Sequence, residues 1–350
     1  MDPRDRVMDA FDGCTHGTPP VAVFTQSATV GMMDACGASW PDAHFDAGLM
    51  ATLGCAQAKV FGFCTARVPF DITAEAGRLG CTVSPGTRDN VPGILRRTVT
   101  GNPMDGALPD ADLMSPEEFV SGGRPATVTE AIRLCSRDIG DSHAIVGGIL
   151  GPVTLLGQLM GAENMVLATL MEPAWTARMC SELSGILARY AVAQKEAGAD
   201  ILTIVEAVAS PDVLDPKDYR RLSGSHTPDI RPEGVRAVLH ICGSTEPILE
   251  DISGSGLDAF SPDPKVSPSL VREALGDMTV CGAVDPVGTL LFGDPAKVVS
   301  EARTYSDEGY DIIAPGCGLA PRTPDDNLRA LADAFHRREP KNEIPHPHSR

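Results

Sequence analysis

The stretch Arg236-Ala-Val-Leu-His-Ile-Cys242 is the starting point for both the fold and the chemistry of this chain. Its apolar run, Ala237 to Leu239, predicts a β-strand. Residues i and i+2 of a strand point to the same side. We therefore expect His240 and Cys242 to present an imidazole and a thiol to one point at the end of the strand.

A second stretch, Ala314-Pro-Gly-Cys-Gly318, supplies another thiol after another apolar run. The glycines on either side of Cys317 permit unusual backbone angles and a close approach to a ligand. Together with His240 and Cys242 this makes one nitrogen and two sulfur donors, a set that suits zinc. Three protein ligands leave a fourth position open, as in catalytic zinc sites. The alternative is a core histidine beside buried free cysteines, which commonly behave as small apolar residues.

Composition indicates a soluble globular protein and argues against two classes of partner. The chain has 350 residues, of which 22% are charged and 43% hydrophobic, with a net charge of -18. A sequence-independent nucleic-acid binder needs a basic face. Anionic membranes would also repel such an acidic chain. We therefore expect neither a nucleic-acid partner nor a membrane partner.

The termini and the cysteines predict a cytoplasmic location. The first residues, Met1 to Arg6, contain no apolar signal core, and no run approaches the roughly 18 apolar residues that span a bilayer. The 10 cysteines are scattered, without the density of a secreted disulfide framework. A reducing compartment with mostly buried, inert thiols follows from this pattern.

Strands alternate with helices along the chain, and each strand is almost continuously apolar. This pattern is typical of a parallel sheet covered on both faces. About seven strands are recognisable from Lys59 onward, and we place an eighth near Ile94 to Val99. With no glycine-rich nucleotide-binding loop after any strand, the count favours an α/β fold of the (β/α)8 TIM-barrel type. We assign residues 1–338 to a single barrel domain with an N-terminal extension (about 1–58), and residues 339–350 to a flexible tail.

Other polar residues are expected at the carboxyl ends of the strands, where barrel active sites lie. Glu206 follows the run Ile201 to Val205 and is a candidate fourth zinc ligand or base; a carboxylate hydrogen-bonded in a loop is the alternative. Arg67 is a candidate for holding an anionic group of a substrate or cofactor, with an ion pair as the alternative. Asp71 and Asp285 are further binding candidates, although Asp285 precedes a proline and could simply start a turn or cap a helix.

At this point the chain resembles a known family. His240-x-Cys242 followed by Cys317 resembles the zinc motif of the methylcobamide:coenzyme M methyltransferases, in the uroporphyrinogen decarboxylase-like superfamily of (β/α)8 barrels. The resemblance extends over nearly the whole chain. The further stretches that carry it are Met33-Asp-Ala-Cys-Gly-Ala38, Gly62-Phe63, Arg67-Val-Pro-Phe-Asp-Ile-Thr73, Gly80-Cys-Thr-Val-Ser-Pro-Gly-Thr87, Gly151-Pro-Val-Thr154 and Ala199-Asp-Ile-Leu-Thr-Ile-Val-Glu-Ala-Val-Ala-Ser210.

The resemblance implies a function in methylotrophic methanogenesis. The enzyme would take a methyl group from a methyl-cobalt(III) corrinoid carried by a small corrinoid protein and pass it to coenzyme M. His240, Cys242 and Cys317 would hold Zn²⁺, and the zinc would hold the sulfur of coenzyme M. Zinc makes a thiol ligand lose its proton, so the substrate would become a nucleophile near neutral pH.

Three other functions stay open at the level of the sequence. One is a related zinc-thiolate methyltransferase with another acceptor, such as homocysteine, or another donor, such as a methylated thiol. A second is uroporphyrinogen decarboxylase itself, which needs no metal and would leave the three donors idle. The third is a non-catalytic partner of a corrinoid protein with a structural metal, although structural zinc sites usually have four protein ligands.

Overall fold

The computed structural model describes residues 1–14, 16–106, 108–109 and 112–335, and the predicted tail, residues 339–350, lies outside this range. Its main sheet has six parallel strands in the order β1-β4-β5-β6-β7-β8. The bounds are β1 Thr65–Val68, β4 Ala144–Leu150, β5 Ile201–Val205, β6 Arg236–Ile241, β7 Ala259–Pro262 and β8 Thr279–Val280. The remaining two strands, β2 Thr82–Ser84 and β3 Gly93–Arg96, form a separate antiparallel hairpin.

Two extended segments, 21–24 and 312–315, close the sheet into a barrel. A parallel bridge joins Cys281 to Ile312 beyond the end of β8, and another joins Ile313 to Val21. On the other side of segment 21–24, the amide of Cys64, the residue before β1, donates a hydrogen bond of 2.8 Å to the carbonyl of Val21. With these two segments, the barrel wall has eight extended strands, and the predicted (β/α)8 barrel is confirmed.

The eighth strand is not where the sequence analysis placed it. Ile94 lies in β3, the half-exposed hairpin strand, which pairs with β2 and not with the barrel. The barrel strand that the prediction lacked is segment 21–24, which falls within the stretch assigned to an N-terminal extension. The strand expected from Lys59 also begins later, at Thr65, because the preceding helix runs to Lys59 and the chain then turns at Gly62, whose φ is 84°.

Helices surround the barrel and fill the connections between its strands. Several begin with proline at the first position, where the missing N–H costs no hydrogen bond. Their bounds are α1 Pro3–Phe11, α2 Val30–Cys36, α3 Ala47–Lys59, α4 Ala74–Arg78, α5 Pro116–Val120, α6 Gly123–Ile139, α7 Pro152–Met160, α8 Ala162–Met171, α9 Pro173–Glu196, α10 Pro216–Tyr219, α11 Thr227–Ile230, α12 Leu249–Ser253, α13 Pro268–Leu275, α14 Pro295–Asp307 and α15 Asp325–Ala332. Short 3-10 turns span Asp42–His44, Pro103–Asp105 and Glu246–Ile248, and a π turn spans Arg220–Gly224.

No single helix in the described ranges is long and apolar enough to cross a membrane. The pair α7 and α8 meets the length and composition criteria together, but the two helices are bent at 108° to each other.

The interior of the barrel is layered from an apolar floor to a polar mouth. At the amino ends of the strands, Phe11 of α1 packs against Phe24 with ring centroids 6.5 Å apart, and both belong to an apolar cluster that includes Val238. Further along the strands, the inward positions change to polar residues such as Thr203 and His240, which are buried. The floor thus closes one end of the barrel and leaves the chemistry to the other.

Candidate metal centre and active site

Strand β6 and the loop after segment 312–315 bring three donor side chains together. Val238 and His240 face the barrel interior, while Leu239 and Ile241 belong to the core between the barrel and its helices. This alternation directs Cys242 to the same side as His240, as predicted. Among the described residues, His240, Cys242 and Cys317 are the group of histidine, cysteine and acidic residues whose ligand atoms all lie within 4.8 Å of one another.

The distances within this group fit a tetrahedral metal site. Cys242 Sγ lies 3.4 Å from His240 Nε2 and 3.7 Å from Cys317 Sγ. Zinc with bonds of about 2.3 Å to sulfur and about 2.0 Å to nitrogen would separate two sulfurs by about 3.8 Å and a nitrogen from a sulfur by about 3.5 Å. A disulfide would need about 2.05 Å between the sulfurs. One nitrogen and two sulfurs at these spacings therefore fit zinc in both chemistry and geometry.

Neighbouring backbone groups orient the three donors. His240 Nδ1 lies 2.9 Å from the carbonyl oxygen of Ser261. Since a carbonyl can only accept, Nδ1 carries the proton, and Nε2 is left with its lone pair towards Cys242. The amide of Gly243 donates to Asp263 Oδ2 at 2.9 Å, which fixes the backbone next to Cys242.

Two glycines are required by close contacts around the thiols. Gly243 has a φ of 87°, and a Cβ atom there would lie 2.4 Å from Asp212 Oδ2. A Cβ atom at Gly316 would lie 2.5 Å from Cγ of Pro264. A larger residue at Gly243 would have to displace the Asp212 side chain or the loop that carries Cys242, and one at Gly316 would clash with Pro264 and the carbonyl oxygen of Ala283.

Contacts within the group shift the pKa values of its two cysteines in opposite directions. The hydrogen bond with Cys242 lowers the pKa of Cys317 despite the opposing effect of burial, and His240 lowers it further. The same hydrogen bond, together with burial, raises the pKa of Cys242. Burial by itself lowers the pKa of His240, but the contact with Cys317 outweighs this and raises it. Cys317 is therefore the first of the two sulfurs to become a thiolate, the form that binds metals.

Glu206 does not join this group. Its carboxylate accepts hydrogen bonds from the amide of Val153 at 3.2 Å and from the amide and hydroxyl of Thr154 at 2.9 and 2.8 Å. Burial raises the pKa of Glu206. The side chain of the preceding residue, Val205, lines a cavity inside the barrel, and Glu206 lies beneath the start of α7. This arrangement corresponds to the hydrogen-bonded loop carboxylate considered as the alternative, and the catalytic role stays a prediction.

Asp71 and Asp285 are likewise engaged within the fold. Arg124 donates to both carboxylate oxygens of Asp71, and the imidazole Nδ1 of His44 lies 3.0 Å from Oδ2. Burial opposes ionisation, but His44 and Arg124 lower the pKa of Asp71 far below its usual value. Asp285 Oδ1 accepts from the amides of Val287 and Gly288 at 2.8 and 3.0 Å, as in a turn. The structure brings neither carboxylate to the three donors, and both binding roles stay predictions.

Arg67 lies inside the barrel, and only 1% of its surface is exposed to solvent. A Cβ atom at Gly148 would lie 2.2 Å from its Nη2, so the guanidinium occupies the space that this glycine leaves free. Burial lowers the pKa of Arg67 to about 10, although Asp71 and Glu75 nearby raise it. The group therefore stays charged at neutral pH.

Sequence reasoning missed two residues beside Arg67. Gln26 lies just after segment 21–24. Recognising that segment as a barrel strand would have placed Gln26 at a strand end, where barrel active sites lie. Glu75, on α4, is buried and forms no ion pair with a described residue. Its Oε1 accepts a hydrogen bond from the amide of Leu150 at 3.0 Å. Burial raises the pKa of Glu75 to about 7. Nothing in the sequence around Glu75 signals this environment.

The closed barrel with a nitrogen and two sulfurs at its carboxyl end defines an α/β-barrel enzyme with a thiol-rich site. The chain belongs to the uroporphyrinogen decarboxylase (URO-D) family, which it matches over residues 2–338. It is 32% identical over 335 residues to methylcobamide:CoM methyltransferase MtaA of Methanosarcina barkeri, which covers 95% of this chain and 96% of that protein. It is 31% identical over 341 residues to the methylated-thiol--coenzyme M methyltransferase of Methanosarcina mazei, covering 95% and 89%.

A solved structure gives the same result for the fold. The methyltransferase from Methanosarcina mazei superposes with a TM-score of 0.87 at 31% sequence identity, covering 95% of this chain and 98% of that chain. The resemblance to the methylcobamide:coenzyme M methyltransferases is thereby confirmed, and the protein is a methyltransferase of this family.

Proposed function

We propose that the protein transfers a methyl group from a methylated corrinoid protein to the thiol of coenzyme M, with zinc as the metal that activates the thiol. The name of the methylcobamide:CoM methyltransferase relative supports a corrinoid methyl donor, and the names of both relatives support coenzyme M as the acceptor. The observation that carries the zinc assignment is the spacing of His240 Nε2 and the two sulfurs, 3.4 and 3.7 Å. This spacing agrees with tetrahedral zinc.

His240, Cys242 and Cys317 would hold the metal in this mechanism, with Nε2 and two thiolates as ligands. When bound, zinc supplies a Lewis acid that lowers the pKa of an incoming thiol. The hydrogen bond from Nδ1 to Ser261 keeps the imidazole in the tautomer that the site needs. Two anionic sulfurs offset the charge of the metal. A substrate thiolate is then held less tightly and remains nucleophilic towards a methyl group.

The methyl group would be attacked in line at the open, carboxyl end of the barrel. The apolar floor at Phe11 and Phe24 closes the opposite end, which leaves the mouth as the face for a corrinoid held by another protein. Cys242 and Cys317 could not bind a metal if they were oxidised to a disulfide, and all ten cysteines are free in the described chain. We therefore also propose a reducing, cytoplasmic setting.

The test is a methyl-transfer assay with zinc-loaded protein, methylcobalamin and coenzyme M. We expect methyl-coenzyme M and cob(I)alamin to form in equal amounts, which absorbance and mass spectrometry report. Cys242→Ala and Cys317→Ala should lose the transfer because each removes a ligand. Cys180→Ala, which changes a buried cysteine on α9, is the matched control and should keep it. Full activity of both ligand variants would contradict the proposal.

A second candidate function uses a methylated thiol as the methyl donor, and the methylated-thiol--coenzyme M relative favours it. The same zinc site would serve, since the acceptor chemistry is identical. Parallel assays with methylcobalamin and with a methylated thiol, each with coenzyme M, separate the two. Homocysteine in place of coenzyme M tests the acceptor. Decarboxylation of uroporphyrinogen by the metal-free protein would instead favour the family's namesake reaction.

A further inference from the structure

The turn after β7, residues 263–266, contacts both loops that carry the sulfur donors. In the barrel wall, β6 and segment 312–315 are not neighbours, because β7 and the strand that begins with β8 lie between them. Strand pairing therefore does not directly set the distance between Cys242 and Cys317. That distance, 3.7 Å between the two sulfurs, depends on what holds the two loops.

Asp263 ties the turn to the loop of Cys242. Its Oδ2 accepts a hydrogen bond of 2.9 Å from the amide of Gly243, the residue after Cys242. Its Oδ1 accepts one of 3.0 Å from the amide of Lys265, and its carbonyl accepts another from the amide of Val266. The carboxylate thus fixes its own turn with one oxygen and the Cys242 loop with the other. Hydrogen bonds to an ionised acceptor are roughly twice as strong as neutral ones.

Pro264 is in contact with the other cysteine loop. A Cβ atom at Gly316, the residue before Cys317, would lie 2.5 and 2.7 Å from Cγ and Cδ of the Pro264 ring. It would also lie 2.8 Å from the carbonyl oxygen of Ala283, so the backbone of Gly316 is packed against both. Because the proline ring has a fixed φ and the hydrogen bonds of Asp263 hold the turn, the ring is a rigid support for this loop.

We propose that Asp263 and Pro264 are positioning residues that set the spacing of the two sulfurs and so favour zinc relative to a larger thiolate-binding ion, Cd²⁺. The inference rests on the proposed function for the identity of the metal. Two sulfurs on a tetrahedral zinc lie about 3.8 Å apart, close to the 3.7 Å observed. Cadmium forms longer bonds to sulfur and needs a wider spacing, which two rigidly held loops resist. Neither side chain belongs to the group of three donors, and each acts through a glycine next to a cysteine.

The experiment titrates metal-free protein with Zn²⁺ and with Cd²⁺ in competition with a chromogenic chelator. We expect Asp263→Ala to lower the zinc affinity about 10- to 100-fold, as loss of a residue that orients a metal ligand typically does. The cadmium affinity should fall less, because the loosened loops also relieve the misfit of the larger ion. Pro264→Ala, which keeps the carboxylate, should lower the zinc-to-cadmium ratio as well. Since both ions carry the same charge, the lost charge of Asp263 cancels in this ratio.

Asp294→Ala is the matched control. Asp294 also precedes a proline, and its side chain accepts a hydrogen bond of 2.8 Å from the amide of Lys297 at the start of α14. The residue is exposed and caps this helix, so both affinities should stay at the wild-type values.

A zinc-to-cadmium ratio that falls in Asp263→Ala and Pro264→Ala supports the inference even if no methyl group is transferred, in which case only the proposed transfer fails. Affinities that stay at the wild-type values in both variants, or that fall by one common factor for the two ions, overturn the inference. If Asp263→Ala does not fold, the ratio in Pro264→Ala decides the outcome. A wild type that binds neither ion contradicts the metal centre and this inference with it.

Discussion

At the scale of single residues, two buried carboxyl groups near the barrel interior, Asp71 and Glu75, have pKa values shifted in opposite directions. Asp71 is surrounded by Arg124, His44 and Thr73 and stays ionised, with its pKa far below the usual value. Glu75 accepts a hydrogen bond from the amide of Leu150 and forms no ion pair with a described residue, and burial raises its pKa to about 7. One carboxyl group is thus permanently charged, while the other changes its charge in the physiological range.

Glu75 therefore makes the stability of the protein depend on pH. The folded pKa is about 7 against an ordinary value of 4.5, so its contribution is fully present below about pH 4.5 and is lost as the pH rises through 7. The loss amounts to about 3 kcal/mol above pH 8. We expect Glu75→Gln to be more stable than the wild type by up to this amount at pH 8, and by about 1 kcal/mol at pH 5.

Urea unfolding at pH 5 and pH 8 measures this effect. Glu273→Gln, an exposed position on α13, is the matched control and should give the same small change at both values. A Glu75→Gln variant whose advantage does not grow with pH would show that this carboxyl group titrates normally in the folded protein.

The alternation of a strand made part of the site predictable residue by residue. His240 and Cys242 were expected on one side of β6, and the structure brings them to Cys317. The same rule applied to β5 places Glu206 off the inward face, since Val205 before it lines the cavity. The end of a strand predicts the right edge of the barrel, but the direction of the side chain follows from register, which the sequence analysis did not use for Glu206.

At the scale of elements, the loop after β6 is shaped by its glycine. A Cβ atom at Gly243 would lie 2.4 Å from Asp212 Oδ2, and φ is 87°. We expect Gly243→Ala to move Cys242 and to lower zinc affinity about 10- to 100-fold, as disturbance of the surroundings of a metal ligand typically does. Competition with a chromogenic chelator measures the affinity.

Gly256→Ala is the control for this substitution. Gly256 also has a positive φ, 75°, but a Cβ atom there would meet nothing within 4 Å. It therefore carries the same kind of backbone strain without the clash. Equal zinc affinities in the two variants would mean that the contact between the loop and Asp212 does not position Cys242.

Elements with strong apolar runs were predicted well, and those without them were not. β5 has the bounds of its apolar run, Ile201–Val205, because that run is buried on both faces. Segment 21–24 is a short run whose strand character comes from hydrogen bonds to distant parts of the chain. The hairpin strand β3 also contains two apolar residues, Ile94 and Leu95, but pairs locally with β2. Local pattern does not distinguish these two cases.

At the scale of the whole molecule, stability and chemistry lie at opposite ends of the barrel. Phe24 belongs to the floor, is 1% exposed and contacts Phe11 edge to face. We expect Phe24→Ala to cost about 3–5 kcal/mol of stability, the usual effect of removing a buried aromatic ring. Zinc content should stay at that of the wild type, because the donors lie at the other end. Thermal unfolding and metal analysis test the two statements together.

The exposed Phe292 offers a control for this substitution. Its side chain is 76% exposed, so Phe292→Ala should change the stability little. Loss of zinc from folded Phe24→Ala at an unchanged unfolding temperature would reverse the assignment of the two ends.

The measurement that tests the central claim most directly is X-ray absorption at the zinc edge, before and after addition of coenzyme M. With His240, Cys242 and Cys317 as the protein ligands, the resting site should show two sulfurs at about 2.3 Å, with nitrogen or oxygen completing a coordination of about four. Coenzyme M should raise the sulfur count to three as its thiol takes the open position. A zinc site with four protein ligands whose sulfur count does not change with coenzyme M would contradict the account.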